Sequence, residues 1–167
     1  MYPAKFLLDQ HSALPSDLFN AAEFTARAPK GVGRDTLVIL CSMTGTTKET
    51  VAAAQFARAR GARTVGLTTD TTSPLGKACD HAIGFEAPYT TGVPIDAKNS
   101  NYARMYQLVM GIVALTGGEN LSAALMSSLE GLQPAIEKAQ KTFEPIFADY
   151  MHRFAPQDVI YTMASGA

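Results

Sequence analysis

A continuous apolar run, Thr36 to Cys41, has turn residues on either side of it. That is the pattern of a central parallel strand buried on both faces. Thr64 to Thr68 reads as a second buried strand and Ala82 to Phe85 as a third. Between them, Lys48 to Arg60 forms a helix ended by Gly61, and Pro74 to Cys79 a short helix. Strand, helix, strand, helix, strand at such short spacing predicts an α/β fold with a doubly wound parallel sheet. Upstream, Pro3 to Gln10 reads as a short helix with proline in its first turn. Ala13 to Phe19 is ambiguous, a short strand being one reading, and Ala21 to Ala26 is a helical turn.

Downstream of the third strand, Ala87 to Asn99 is a loop holding Pro88, Gly92 and Pro94. Ser100 then caps a helix, Tyr102 to Leu115, apolar on nearly all sides and so destined for the core or an oligomer interface. After Gly117-Gly118, Leu125, Leu129, Leu132, Ile136, Ala139, Phe143, Ile146, Tyr150 and Phe154 follow at alternating three- and four-residue steps. They make one helical stripe, expected to pack into the core, with Pro134 and Pro145 bending or interrupting it. Asp158 to Met163 reads as another strand leading into Ala164-Ser165-Gly166-Ala167. A buried-type strand and turn of this sort normally continue into a helix.

Composition changes this picture little. A chain of 167 residues holds one domain with a proper core. A formal charge of -1 gives no reason to expect a nucleic-acid partner. The apolar segments are too short or too interrupted by charge for a signal peptide or a bilayer span, so no membrane partner is expected. Cys41 and Cys79 stand far apart in no metal-like spacing, which predicts free thiols in a reducing cytoplasm and no metal.

The candidate chemistry lies at the end of the first strand. In an open α/β sheet, ligands sit at the carboxyl ends of strands, the place of Ser42, Met43, Thr44, Gly45, Thr46 and Thr47. The helix start that follows offers unpaired N–H groups and a partial positive charge to a phosphate dianion. Gly45 permits close backbone approach, and four hydroxyls add donors. The competing reading is an ordinary helix cap, with Thr46 or Thr47 as N-cap and Glu49-Thr50 completing it. No Lys stands where a nucleotide P-loop needs one. Position 47 is Thr where a Cys-x5-Arg phosphatase loop starting at Cys41 would need Arg. Cys79, beside Asp80 and His81, reads as packing; His11 and His152 stand alone; Glu86, at the ligand edge by topology, is a further candidate.

The stretch Cys41 to Thr50 resembles the signature of sugar isomerase (SIS) domains, roughly Ser-x-Ser-Gly-x-Thr-x-Glu-Thr. The resemblance continues through Ala57 to Ala62, Thr64 to Thr68, Ser73-Pro74-Leu75-Gly76 and Ala78-Cys79-Asp80. Thr44 stands where the family most often has Ser and keeps the hydroxyl. Tyr2 to Leu8 and Asn99 to Ala103 are similar to fructosamine deglycases acting on fructoselysine-type 6-phosphates.

This resemblance implies a flavodoxin-like SIS domain that binds a phosphorylated sugar, part of a sugar-phosphate isomerase or fructosamine-6-phosphate deglycase. Such proteins carry two SIS domains in tandem and assemble into oligomers; no cofactor is implied. It further implies that residues 1–118 are a SIS domain without its own first strand, and 119–167 a helical connector plus the first strand of a second. Ser165 and Gly166 are then candidates for a second phosphate-touching turn, and the strand Asp158 to Met163 is expected to fill the vacant central slot, in its own chain or in a partner. Deglycases of this type use a Glu and a His from the second domain, so no catalytic residue is assigned here. A non-catalytic sugar-phosphate-sensing SIS module is the alternative. A second alternative is a flavodoxin-like FMN protein, whose phosphate loop resembles Met43 to Thr47. That loop follows the first strand in flavodoxins, whereas about 40 residues precede it here, and Tyr89 is the only aromatic in the loop 87–99.

Overall fold

The computed structural model describes residues 2–87, 96–116 and 122–154. The elements run α1 (Tyr2–His11), α2 (Ala21–Arg27), β1 (Leu37–Cys41), α3 (Lys48–Ala59), β2 (Arg63–Thr68), α4 (Pro74–Ala78) and β3 (His81–Gly84). A 3-10 turn over Ala97–Asn99 leads into α5 (Asn101–Leu115), α6 (Ser122–Glu130) and α7 (Leu132–Phe154). The predicted strand Asp158 to Met163, Ser165, Gly166 and most of the loop after the third strand, Tyr89 included, lie outside the described residues.

Among the described residues the sheet has three strands, all parallel, in the order β1-β2-β3. Leu37 pairs with Arg63 and Cys41 with Leu67; Val65 pairs with His81 and Thr68 with Gly84. Alternation along each strand sends successive side chains to opposite faces. Val38 and Leu40 meet Phe24, Ala53, Ala54, Ala57, Leu75 and Cys79, so α2, α3 and α4 cover one face. Ile39, Cys41, Val65, Leu67, Ile83 and Phe85 meet Ala4, Met105, Val109 and Val113, so α1 and α5 cover the other. The sheet is doubly wound, as the pattern predicts. Leu67, Leu75, Val109 and Val113 are fully buried, each contributing about 1.5–3 kcal/mol of hydrophobic stabilisation.

Caps delimit the helices where the sequence places them. Ser73 accepts from Gly76 N and Ser100 from Ala103 N. Gly61 follows the C-cap of α3 at φ +84. Helix α5 lays Met105, Val109 and Val113 on the sheet and leaves Tyr102 exposed.

Among the described residues β1 pairs with β2 on one side, and Leu37 is 43% exposed; the strand expected on its other side, Asp158 to Met163, lies outside the described residues. Two expectations need correction. Ala13 to Phe19 is irregular, without ladder pairing, and Leu14 and Leu18 are exposed. The late stripe is not core packing. Leu129 is buried and Leu132 half-buried, but Ile136, Phe143, Ile146 and Tyr150 on α7 are exposed. The helix is held to the domain near its first turn, where Gln133 Oε1 accepts from Ala97 N at 3.1 Å. Pro134 falls inside that first turn, where its missing N–H costs nothing, and α7 runs unbroken through Pro145. No helix among the described residues is long and apolar enough to cross a membrane.

Candidate functional site

The loop Ser42 to Thr47 joins β1 to α3 at the carboxyl edge of the sheet. Its first residue stays in the ladder: Ser42 N donates to Leu67 O at 3.0 Å, and the residue is buried. Next the chain lifts off. Met43, Thr44, Thr46 and Thr47 are exposed, while Gly45 is buried between them with φ +67. A Cβ on Gly45 would overlap Ser73 Oγ and come within 2.6 Å of Ser73 Cβ and 2.9 Å of Thr68 Oγ1. Only glycine combines that left-handed backbone with so close a floor.

The carbonyls of the loop point down into the fold. Met43 O accepts from Thr69 N at 2.8 Å, Thr69 Oγ1 at 2.9 Å and Thr68 Oγ1 at 3.0 Å. Gly45 O accepts from Leu75 N at 2.9 Å. The backbone N–H groups of Thr44, Gly45, Thr46 and Thr47 have no acceptor among the described residues, nor do those of the first turn of α3.

The hydroxyls are paired across the loop, Ser42 Oγ with Thr47 Oγ1 at 3.0 Å and Thr44 Oγ1 with Thr46 Oγ1 at 2.7 Å. Each pair uses one of its two protons internally and keeps one to donate outward. Thr47 occupies the N-cap position of α3, yet its side chain makes no capping bond. A helix cap would turn this hydroxyl onto the first turn; here it is turned to Ser42, and the helix N–H groups stay open. Glu49 adds negative charge to that turn and Lys48 opposes it. The arrangement suits a compact anion with several acceptor oxygens.

The remaining candidates fall elsewhere. Glu86 lies past the end of β3, two strands from the loop, about 10 Å at the usual strand spacing. Its backbone N donates to Asn99 O at 2.9 Å, its carboxylate accepts from Asn99 Nδ2 at 3.3 Å, and Asn99 Oδ1 accepts from Arg104 at 3.0 Å. No hydrogen bond joins Glu86 to the loop among the described residues. Cys41 is half-buried and Cys79 buried, and burial pushes both thiols up from their ordinary values. Asp80 is a strut: its Oδ2 accepts from Thr64 N at 2.8 Å and Thr64 Oγ1 at 3.0 Å, and its Oδ1 meets Arg58 Nε at 3.1 Å. The Thr64 backbone N–H, then its hydroxyl, hold the Asp80 carboxyl below the usual carboxylate range. A cavity of about 60 Å³ lies between Pro3, Cys41, Tyr102 and Tyr106.

Sequence reasoning missed Thr68 and Thr69. The available signal was two consecutive hydroxyl residues at the carboxyl end of the strand adjacent to the loop.

Comparison with known proteins places these features in a family. The model of the SIS domain matches residues 4–114. Fructosamine deglycase FrlB of Bacillus subtilis is 38% identical over 168 residues, covering 100% of this chain and 50% of that protein. The crystal structure of a proposed phosphosugar isomerase from Bacillus subtilis superposes with a TM-score of 0.86 at 36% identity, over 96% of this chain and 48% of that one. Another, from Salmonella typhimurium LT2, gives 0.86 at 30% identity with the same coverage of 96% and 48%. The chain spans about half the length of each of these three relatives.

Proposed function

We propose, since the chain belongs to the SIS domain family, that its β1–α3 loop grips the phosphate of a phosphorylated sugar. The parent activity is that of a sugar-phosphate isomerase or fructosamine-6-phosphate deglycase. The observation that carries the reading is the open helix start. The Thr47 hydroxyl is withheld from capping, and the Thr44 to Thr47 amides have no acceptor among the described residues, while the Met43 and Gly45 carbonyls are tied down. The substrate class follows from similarity to proteins described as a fructosamine deglycase and as phosphosugar isomerases.

In such a reaction the phosphate is a handle remote from the bonds that change. Binding it fixes the open-chain sugar against acid and base groups, so that interaction energy far from C1 and C2 is used to orient the reacting carbons. Met43 to Thr47 supply the handle's socket in this chain. No residue of 1–167 is assigned the proton transfers.

The test is thermal unfolding of the chain with millimolar fructose 6-phosphate or glucose 6-phosphate, repeated with Thr44→Ala. A ligand at 100 times its dissociation constant raises stability by about 2.7 kcal/mol. The expected result is a raised midpoint with the native loop and little or no rise with Thr44→Ala. Absence of any rise with either sugar phosphate would refute the reading.

A further inference from the structure

We propose that Thr68 and Thr69, at the carboxyl end of β2, are positioning residues of the phosphate site. They hold the Met43 carbonyl so that the next amide, Thr44 N–H, is aimed at the ligand. The inference rests on the phosphate reading above and deepens it by assigning two residues outside the loop.

Three donors converge on one oxygen, Thr69 N at 2.8 Å, Thr69 Oγ1 at 2.9 Å and Thr68 Oγ1 at 3.0 Å. One backbone bond would satisfy that carbonyl. The peptide is planar and trans, so the N–H of Thr44 points opposite to the C=O of Met43. Fixing one fixes the other. The 45–46 peptide is pinned in the same sense by Leu75 N on Gly45 O at 2.9 Å, which turns Thr46 N–H away from α4. With Gly45 in the left-handed region between them, the amides converge as in the anion-binding nests of other phosphate loops.

The choice of residue at 68 is the second strand of the argument. Thr68 is fully buried on the face of the sheet that carries Leu75 and Ser73. A valine has the same branched shape and avoids burying a hydroxyl. Threonine there donates to Met43 O at 3.0 Å and accepts from Asp70 N at 3.4 Å. An exposed flexible loop would lose conformational freedom on binding phosphate; one locked by three bonds has already lost it.

The experiment is a titration of the full, nitrogen-15-labelled chain with glucose 6-phosphate and, separately, inorganic phosphate, followed by amide chemical shifts. It is run on the wild type, Thr68→Val, Thr69→Val, the double variant and Thr68→Ser. The expected wild-type result is a ligand-induced downfield shift of the Thr44 and Thr46 amide protons. The double variant should bind about tenfold more weakly, with the Thr44 shift attenuated and the Thr46 shift retained. Thr68→Ser, which keeps the hydroxyl, should bind like the wild type. Equal affinity and an equal Thr44 shift in a folded double variant would overturn the inference and leave the phosphate reading standing. Loss of binding in Thr68→Ser as severe as in Thr68→Val would overturn it too, since packing rather than the hydroxyl would then matter. A wild type whose loop amides respond to neither ligand overturns both. Should the buried substitution prevent folding, Thr69→Val at its half-exposed position decides alone: an unchanged Thr44 shift there refutes the clamp.

Discussion

Helices α3 and α7 invert what their sequences advertise. Helix α3 shows a weak apolar face made mostly of alanine, yet Ala53, Ala54 and Ala57 are at most 1% exposed against the sheet. Helix α7 carries a strong stripe of large residues with Phe147 beside it, yet Phe143 is 51% exposed and Phe147 67%. The difference lies in the connections. Short links from β1 and into β2 force α3 onto the sheet, and small residues let it approach closely. Helix α7 meets the domain through its first turn, and periodicity says which side of a helix is apolar without supplying a surface for it.

The largest expected effect tests that contrast directly. Leu40→Ala removes a buried side chain beneath α3 and should cost about 3 kcal/mol. Phe147→Ala should cost under about 0.5 kcal/mol in the chain alone, as surface substitutions do. Urea unfolding at two protein concentrations measures both. A cost above about 1 kcal/mol for Phe147→Ala, with a midpoint that rises with concentration, would break the comparison. The stripe would then be an interface between copies, in line with the oligomer expected from the family resemblance.

A smaller effect sharpens the view of the packed half as the seat of function. Gly45→Ala places a methyl group onto Ser73 and Thr68 and forces alanine to φ +67. The expected cost is about 2 kcal/mol, together with loss of the sugar-phosphate-induced rise in unfolding midpoint. A folded Gly45→Ala chain that still responds fully to ligand would show that the loop reshapes without consequence, and the floor formed by Ser73 and Thr68 would lose its meaning.

What could be read from the sequence was what local chemistry determines. The strands at Thr36, Thr64 and Ala82 appear within a residue or so of their observed bounds, because each apolar run is closed by turn residues on both sides. Ser100 announces α5 because a cap acts three residues away. The loop at Ser42 to Thr47 was legible for the same reason: a strand–helix junction is a local object. Its floor was not. Thr68 and Thr69 reach Met43 across 25 and 26 residues, and only the parallel pairing of β1 with β2 brings them together. The same limit explains Ala13 to Phe19, whose ladder partners no local pattern can supply, and α7, whose apolar side is evident and whose neighbour is not.

The smallest effect concerns acid. Asp80 joins the start of β3 to the start of β2 through Thr64, and its carboxyl is held below the usual range by the Thr64 amide and hydroxyl. A depressed folded-state value means that the fold prefers the ionised form. Its contribution is therefore complete above the unfolded value, near pH 4, and is lost as pH falls through the lower folded value. In Asp80→Asn the acid limb of a stability–pH profile should be shallower. The gap between the two proteins should stay constant above about pH 5 and narrow below about pH 4. Equal slopes would mean that the Thr64 bonds hold an Asn as well as a carboxylate. The acid sensitivity of the sheet would then belong to other carboxylates held low by their neighbours, Asp70 by Thr72 and Asp96 by the Lys98 backbone among them.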